Sequence, residues 1–216
     1  MSEDPFASYR PLLRSAKLRA IDSLDFSHAA PLRQQLAHPD ETSDLPALCC
    51  LLAAEVASDE PEQALPAATA LALLGEMERV FSAIAGEGED GLEANWGMPR
   101  TLNAGDAFFN LAQAVLLKAN DGSDSGRQVL LTTCLDKACR AYAESLFERS
   151  PSAKRRVVSA AIVLGALAAG AEESMADQLA GFAFDPDDER TALAGLSADG
   201  REKLSAAGRY LAEVGL

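Results

Sequence analysis

Residues 95–112 read Asn95-Trp-Gly-Met-Pro-Arg-Thr-Leu-Asn-Ala-Gly-Asp106-Ala-Phe-Phe-Asn-Leu-Ala, and Gln113-Ala-Val-Leu-Leu117 follows. A loop carrying Gly97 and Pro99 runs into an Ala-rich apolar stretch, which predicts a helix over 102–119. Its polar interruptions are few, mainly Asn103, Asp106, Asn110 and Gln113. A helix that is apolar on nearly all sides is expected inside a bundle or against a partner, and not as a lone amphipathic surface helix.

The rest of the chain has the same character. Of 216 residues, 42 are Ala and 31 are Leu, while aromatic residues make up only 6%. Ala and Leu favour helix, strands draw on β-branched and aromatic residues, and no alternating run of strand length is found. The expected fold class is all-α. Working outward, helices are predicted at 6–24, 30–38, 46–58, 61–85, 125–149, 152–170, 172–183 and 198–214. Pro46 suits a first helical turn, with Leu48, Leu51, Leu52 and Val56 along an apolar face. The acids of Asp59-Glu60-Pro61-Glu62 sit at the positive end of the next helix. Breaks fall at residues 38–44, in the acidic glycine loop 86–93, at 120–126 and at 184–188. No repeat or low-complexity linker divides the chain, so residues 1–216 are read as one domain.

Charge and composition exclude several classes. Nineteen basic against 33 acidic residues give a net charge of −14, and no basic block exceeds Lys154-Arg155-Arg156. Nucleic-acid binding needs many phosphate-neutralising cations and is not expected. Four cysteines, two of them adjacent (Cys49 and Cys50), and two scattered histidines form neither a disulfide framework nor a zinc site. Cys134 and Cys139 are expected as small buried hydrophobes. The acidic start, Met1-Ser-Glu-Asp-Pro, is not a signal peptide, and the longest apolar stretch, 157–171, is too short to span a bilayer. A soluble, cytoplasmic protein without a membrane span is expected.

The segment 95–112 resembles the W-G-x-x-x-A-x-N-x-G-D-x-L stretch of the all-trans polyprenyl diphosphate synthases. Three other segments agree in order. Leu51-Leu-Ala-Ala-Glu55 through Ala64-Leu-Pro-Ala-Ala68 looks like that family's second and third helices. Leu164-Gly-Ala-Leu-Ala-Ala-Gly170 looks like its L-G-A-L-L-A-G helix, and Asp199-Gly-Arg-Glu-Lys-Leu204 through Val214 like its C-terminal helix. The resemblance implies a shortened isoprenoid synthase-type helical bundle.

The departures fall where the family holds diphosphate. The G-K-x-x-R-P motif reads Glu41-Thr-Ser-Asp-Leu-Pro46, keeping the proline and losing both cations. The first aspartate-rich motif becomes Gly86-Glu-Gly-Glu-Asp90, which keeps acids at Glu87 and Asp90 but loses the leading Asp; the arginine pair that follows is missing. The second becomes Ala183-Phe-Asp-Pro-Asp-Asp188, where Pro186 interrupts the helix before Asp187 and Asp188. By the resemblance, Glu87, Asp90, Asp187 and Asp188 are the candidate metal ligands. Each cluster also has a plainer reading: Glu87, Glu89, Asp90 and Glu93 as a solvated acidic loop, Asp185 to Glu189 as a turn and helix start. Lys154-Arg155-Arg156 lies near the family's diphosphate-binding lysine, and reads equally as surface charge in a first turn. Asn103 and Asp106 are expected to fix the helix entry, and Trp96 to anchor the loop beside it.

Prenyl transfer ionises an allylic diphosphate. The leaving-group charge must be absorbed by Mg²⁺ between facing carboxylates, aided by cations. Weakening ligands and cations together removes much of that preorganisation. The leading expectation is therefore a catalytically impaired prenyl diphosphate synthase-like protein. It would serve as an accessory or regulatory subunit, as a homodimer or as a heterodimer with an active synthase. The helices 102–119 and 61–85 are expected at the interface by that analogy. An enzyme is the alternative: a Mg²⁺-dependent class I terpene synthase or unusual prenyltransferase acting on a prenyl diphosphate. A third reading keeps only the cavity, binding an apolar ligand.

Overall fold

The structure, a computed structural model, describes residues 4–24, 29–36, 42–84, 96–119, 124–148, 151–182 and 196–215. Among these residues every regular element is helical: α1 (Arg10–Asp22), α2 (Ala29–Leu36), α3 (Leu45–Ser58), a 3₁₀ turn (Pro61–Ala64), α4 (Leu65–Ile84), α5 (Met98–Ala119), α6 (Ser125–Glu148), α7 (Pro151–Ala168), α8 (Glu173–Phe182) and α9 (Ala198–Glu213). The all-α expectation holds.

The boundaries differ from the sequence reading where proline or a cap decides them. The helix expected over 6–24 begins only at Arg10, with Pro11 in its first turn, and residues 5–9 form turns. The single helix expected over 61–85 is two elements. Pro66 has no N–H and takes an early position in α4, so the chain first makes a 3₁₀ turn and then restarts. In α5 the helix starts four residues earlier than expected, because Pro99 is accommodated in its opening turn. At the end of α7, Gly170 at φ +87° donates to Leu167 and Ala171 donates to Ala166, a Schellman closure that stops the helix.

Two helices form the centre. In α3 every residue from Leu45 to Ala54 is buried, and in α4 every residue from Ala67 to Met77. Helices apolar on more than one face are expected inside a bundle, and α3 is such a helix: it is surrounded. Against α4 pack α5, α3, α6 and α1, and against α3 packs α7, which in turn carries α6 and α8. Helices approach most closely at glycines. A Cβ at Gly165 of α7 would lie 2.0 Å from the carbonyl oxygen of Cys50 in α3, and one at Gly105 of α5 would lie 2.5 Å from the Phe81 ring of α4. Neither position admits a side chain without moving backbone or ring.

These contacts also fix helix directions. Phe81, near the end of α4, meets Gly105, near the start of α5; Arg156, near the start of α7, meets Glu144 and Glu148, at the end of α6. The short turn at 169–172 reverses the chain again, so α8 runs back toward the end where α7 began. The α4 and α8 C-termini thus lie at one end of the bundle, while the start of α3 faces the middle of α4, where Ser43 approaches Gly75.

Candidate functional site

The two acid-bearing stretches of the sequence follow helices whose C-termini share one end of the bundle. Residues 85–95 leave α4 there and residues 183–195 leave α8 there. Glu87, Asp90, Asp187 and Asp188 themselves lie outside the described residues, as do the other acids of both clusters. Among the described residues no three His, Cys, Asp or Glu side chains come together to hold a metal ion.

What the structure does bring together is an ion network that the sequence reading missed. Lys17 of α1 reaches into the bundle and donates to Asp44 Oδ1 at 2.7 Å and to Glu76 Oε1 at 3.1 Å. Arg79, one turn on from Glu76, donates Nη2 at 2.8 Å and Nε at 3.2 Å to Glu76 Oε2. The Glu76 side chain is 0% exposed and that of Lys17 5%. Two cations and two carboxylates thus close on one another just before the start of α3. An uncompensated charge at this depth would be costly, and the pairing removes that cost. Next to the network, Gly75 allows Ser43 and Tyr142 to approach: a Cβ there would lie 2.8 Å from the Ser43 carbonyl oxygen and 3.6 Å from the Tyr142 hydroxyl. That hydroxyl is buried and has no hydrogen-bond partner among the described residues. Burial, reinforced by the charges of Glu78 and Asp44, raises its pKa well above the ordinary tyrosine value, so it stays neutral.

The basic run of α7 lies on the outside. Lys154, Arg155 and Arg156 are all exposed, and Arg156 pairs with Glu144 and Glu148 across the helix–helix surface. The residue of that turn that faces the interior is Ala153, at 0% exposure. Asn103 and Asp106 do not fix the entry of α5, since both are exposed on its outer side. The entry is held instead by Thr101, fully buried, whose hydroxyl donates to the Gly97 carbonyl. Trp96 packs against the core as expected. Cys49 and Cys50 are fully buried, and burial pushes the Cys49 thiol up to about 12, which removes it as a nucleophile. Cys134 is buried as expected, and Cys139 only half-buried.

The expected interface also changes. Of the stretch 61–85, the central part Ala67–Met77 is taken up by the chain's own core. On α5, Phe108 is fully buried toward α4, whereas Leu102 and Leu117 are 43% and 44% exposed, and Phe109 is half-buried between these extremes. The apolar outer stripe of α5 is real but narrower than its sequence implies.

The signal for the network was present in one place. Glu76 stands alone as a charge in the run Leu71-Ala-Leu-Leu-Gly-Glu-Met77. A single acid in an apolar helical stretch demands a partner. Its partner Lys17 is 59 residues away, and nothing local names it.

A bundle with this helix order and these directions has the isoprenoid synthase fold. It recurs in a geranylgeranyl pyrophosphate synthetase from the archaeon Geoglobus acetivorans, with a TM-score of 0.69 at 17% identity over 83% of this chain and 66% of that one. It recurs also in a polyprenyl synthetase from Streptomyces coelicolor A3(2), with a TM-score of 0.62 at 19% identity over 99% and 86% of the two chains. A geranyltranstransferase from Thermotoga maritima gives 0.61 at 16% identity over 97% and 89%. The chain thus spans just under two-thirds of the archaeal synthase and more of the other two. At these identities the likeness is one of fold. No protein-family model matches the sequence, and no curated protein matches it. No described helix is long and apolar enough to cross a membrane.

Proposed function

We propose that this chain, acting as one domain over residues 1–216, is a catalytically impaired relative of the prenyl diphosphate synthases that works as an accessory or regulatory subunit of an active synthase in the cytoplasm. The observation that carries the reading is the state of the cations near the bundle end. Lys17 and Arg79 are already neutralised by Asp44 and Glu76, and Lys154, Arg155 and Arg156 point outward. A diphosphate leaving group needs positive charge that is not already taken. The acids at Glu87, Asp90, Asp187 and Asp188 cannot supply it. They are the residue types that hold Mg²⁺ as a magnesium–diphosphate complex, and the metal's chemistry would be to polarise and neutralise the leaving oxygens.

The partner is met through the outer stripe of α5, where Leu102, Phe109 and Leu117 leave apolar surface uncovered. Co-expression with prenyl synthases, pull-down and product analysis test this. The pair Leu102→Asp and Leu117→Asp should abolish co-purification and leave helicity intact. A wild-type chain that sediments as a monomer and binds no co-expressed synthase defeats the subunit reading.

The second reading is a Mg²⁺-dependent class I terpene synthase or unusual prenyltransferase. It is favoured by the exit of both acid-bearing segments from the same end of the bundle. Here millimolar Mg²⁺ with pyrophosphate should raise the melting temperature. Ligand at about 100 times its dissociation constant adds about 2.7 kcal/mol. A shift lost in Asp187→Asn/Asp188→Asn supports this reading, and no shift removes it.

A further inference from the structure

At the opposite end of the bundle, three segments far apart in sequence meet on one carboxylate. Glu55, in the last turn of α3, accepts a hydrogen bond from the Tyr9 hydroxyl and another from Lys203 Nζ of α9. Lys203 also pairs with Asp199, one turn earlier, at 2.7 Å. Close by, Phe6 lies edge-on to Tyr210 of α9, with ring centroids 5.7 Å apart, and is itself fully buried. The turn that carries Phe6 and Tyr9 is held by Asp4, which accepts from the Phe6 N–H and from Arg10 Nε.

The helix closed by this clasp docks on the bundle through one face. Its buried face is Gly200, Leu204, Ala207 and Leu211. Its principal neighbour is α3, whereas the central helices are packed on several sides. Gly200 sets the approach: a Cβ there would stand 3.3 Å from a Val56 methyl. The start of α9 carries its own cap, because Ser197 accepts from the Gly200 N–H. A helix packed through one apolar seam, capped by its own Ser197 and clasped at Glu55 is placed to open as a local unit before the whole molecule unfolds.

We propose that α9 and the N-terminal turn form a strap that undocks together from the C-terminal end of α3, and that the Glu55 clasp holds it shut. Undocking uncovers the α3 surface around Val56 and the pocket of Phe6 while α3, α4 and α7 stay packed. The strap rests on Glu55, Tyr9 and Lys203 and uses none of the candidate metal ligands, so its test stands apart from the subunit and enzyme readings. The groups that face Glu55 are Tyr9 from the N-terminal turn and Lys203 and Asp199 from α9.

Peptide-resolved amide hydrogen exchange on the full chain tests this. Glu55→Gln and Lys203→Met should each speed exchange in residues 198–213 and in residues 4–9 by about tenfold, the scale of a lost charge-assisted hydrogen bond. Exchange in residues 65–84 should not change. Raising salt to about 0.5 M should speed the strap in the wild type and have little effect in Glu55→Gln. Equal acceleration in all helices would make the clasp part of the global unit and overturn the proposal. No acceleration in the strap would also overturn it. Leu204→Ala serves as the second probe, because trimming the seam must speed the strap through the same opening.

Discussion

The two ion networks of this molecule are built from the same residue types and do opposite jobs. Lys17, Asp44, Glu76 and Arg79 are shut inside the bundle, with Glu76 wholly out of water. Tyr9, Glu55, Asp199 and Lys203 sit at its rim, where Lys203 is 36% exposed and Asp199 69%. Burial is the difference. At depth each charge is obliged to stay paired, so the inner network acts as a fixed structural block. At the rim water competes for every partner, so the outer network can open at modest cost. A chain can thus use one chemistry both to fill its interior and to latch its ends.

The largest effect expected from this contrast comes from the inner network. Glu76→Ala leaves Lys17 with a single partner and Arg79 with none of its Glu76 bonds, and should lower stability by about 3–5 kcal/mol by chemical denaturation. Glu55→Gln at the rim should cost only about 1 kcal/mol. If the two losses are equal, the distinction between block and latch fails.

Acidity sharpens the contrast further, because the rim groups carry opposite shifts. Burial pushes Glu55 up, but the hydrogen bonds from Lys203 and Tyr9 outweigh it and hold its pKa below the ordinary value. Its contribution is therefore present above the unfolded carboxylate value, about 4.3, and is lost as pH falls through the lower folded one. Lys203 is raised by its bond to Asp199 and then by that to Glu55. Tyr9 is raised by burial and then by Glu55. Both contributions are complete below the unfolded values, about 10, and disappear as pH climbs through the raised folded ones. Melting temperature should show a plateau between about pH 5 and pH 9, and Lys203→Met should lower the plateau and make the alkaline fall shallower, because the Lys203 contribution is no longer there to lose.

The smallest effect belongs to the outer face of α7. Lys154→Ala with Arg155→Ala should change stability by no more than about 0.5 kcal/mol, and should leave any pyrophosphate response untouched, because both side chains face solvent. A lost response would place those cations in the site after all.

Much of the fold could be read from sequence because it rests on local signals. Pro46 in the first turn of α3 and the Ala and Leu content of α4 each speak for themselves within a few residues. What could not be read depends on packing between distant segments. Asn103 and Asp106 looked like entry residues for α5, yet the helix presents both to solvent and the hidden Thr101 does that work. Phe108 and Phe109 are indistinguishable in sequence, and only the position of α4 decides that Phe108 is the buried one. The inner network joins residues 27 and 59 apart, and the rim clasp joins residues 46 and 148 apart. The candidate metal ligands were named through the family resemblance and through no signal of their own. The end of the bundle follows from helix directions, while Glu87, Asp90, Asp187 and Asp188 lie outside the described residues.

The central claim is the proposal that Lys17 and Arg79 are taken up by Asp44 and Glu76 and that catalysis has lapsed with them. Its most direct test is turnover by the isolated chain, incubated with farnesyl diphosphate, isopentenyl diphosphate and Mg²⁺, with products extracted and resolved by chain length. The account predicts no elongated product. A longer prenyl diphosphate that forms with the wild-type chain and is abolished by Glu87→Gln/Asp90→Asn would contradict it.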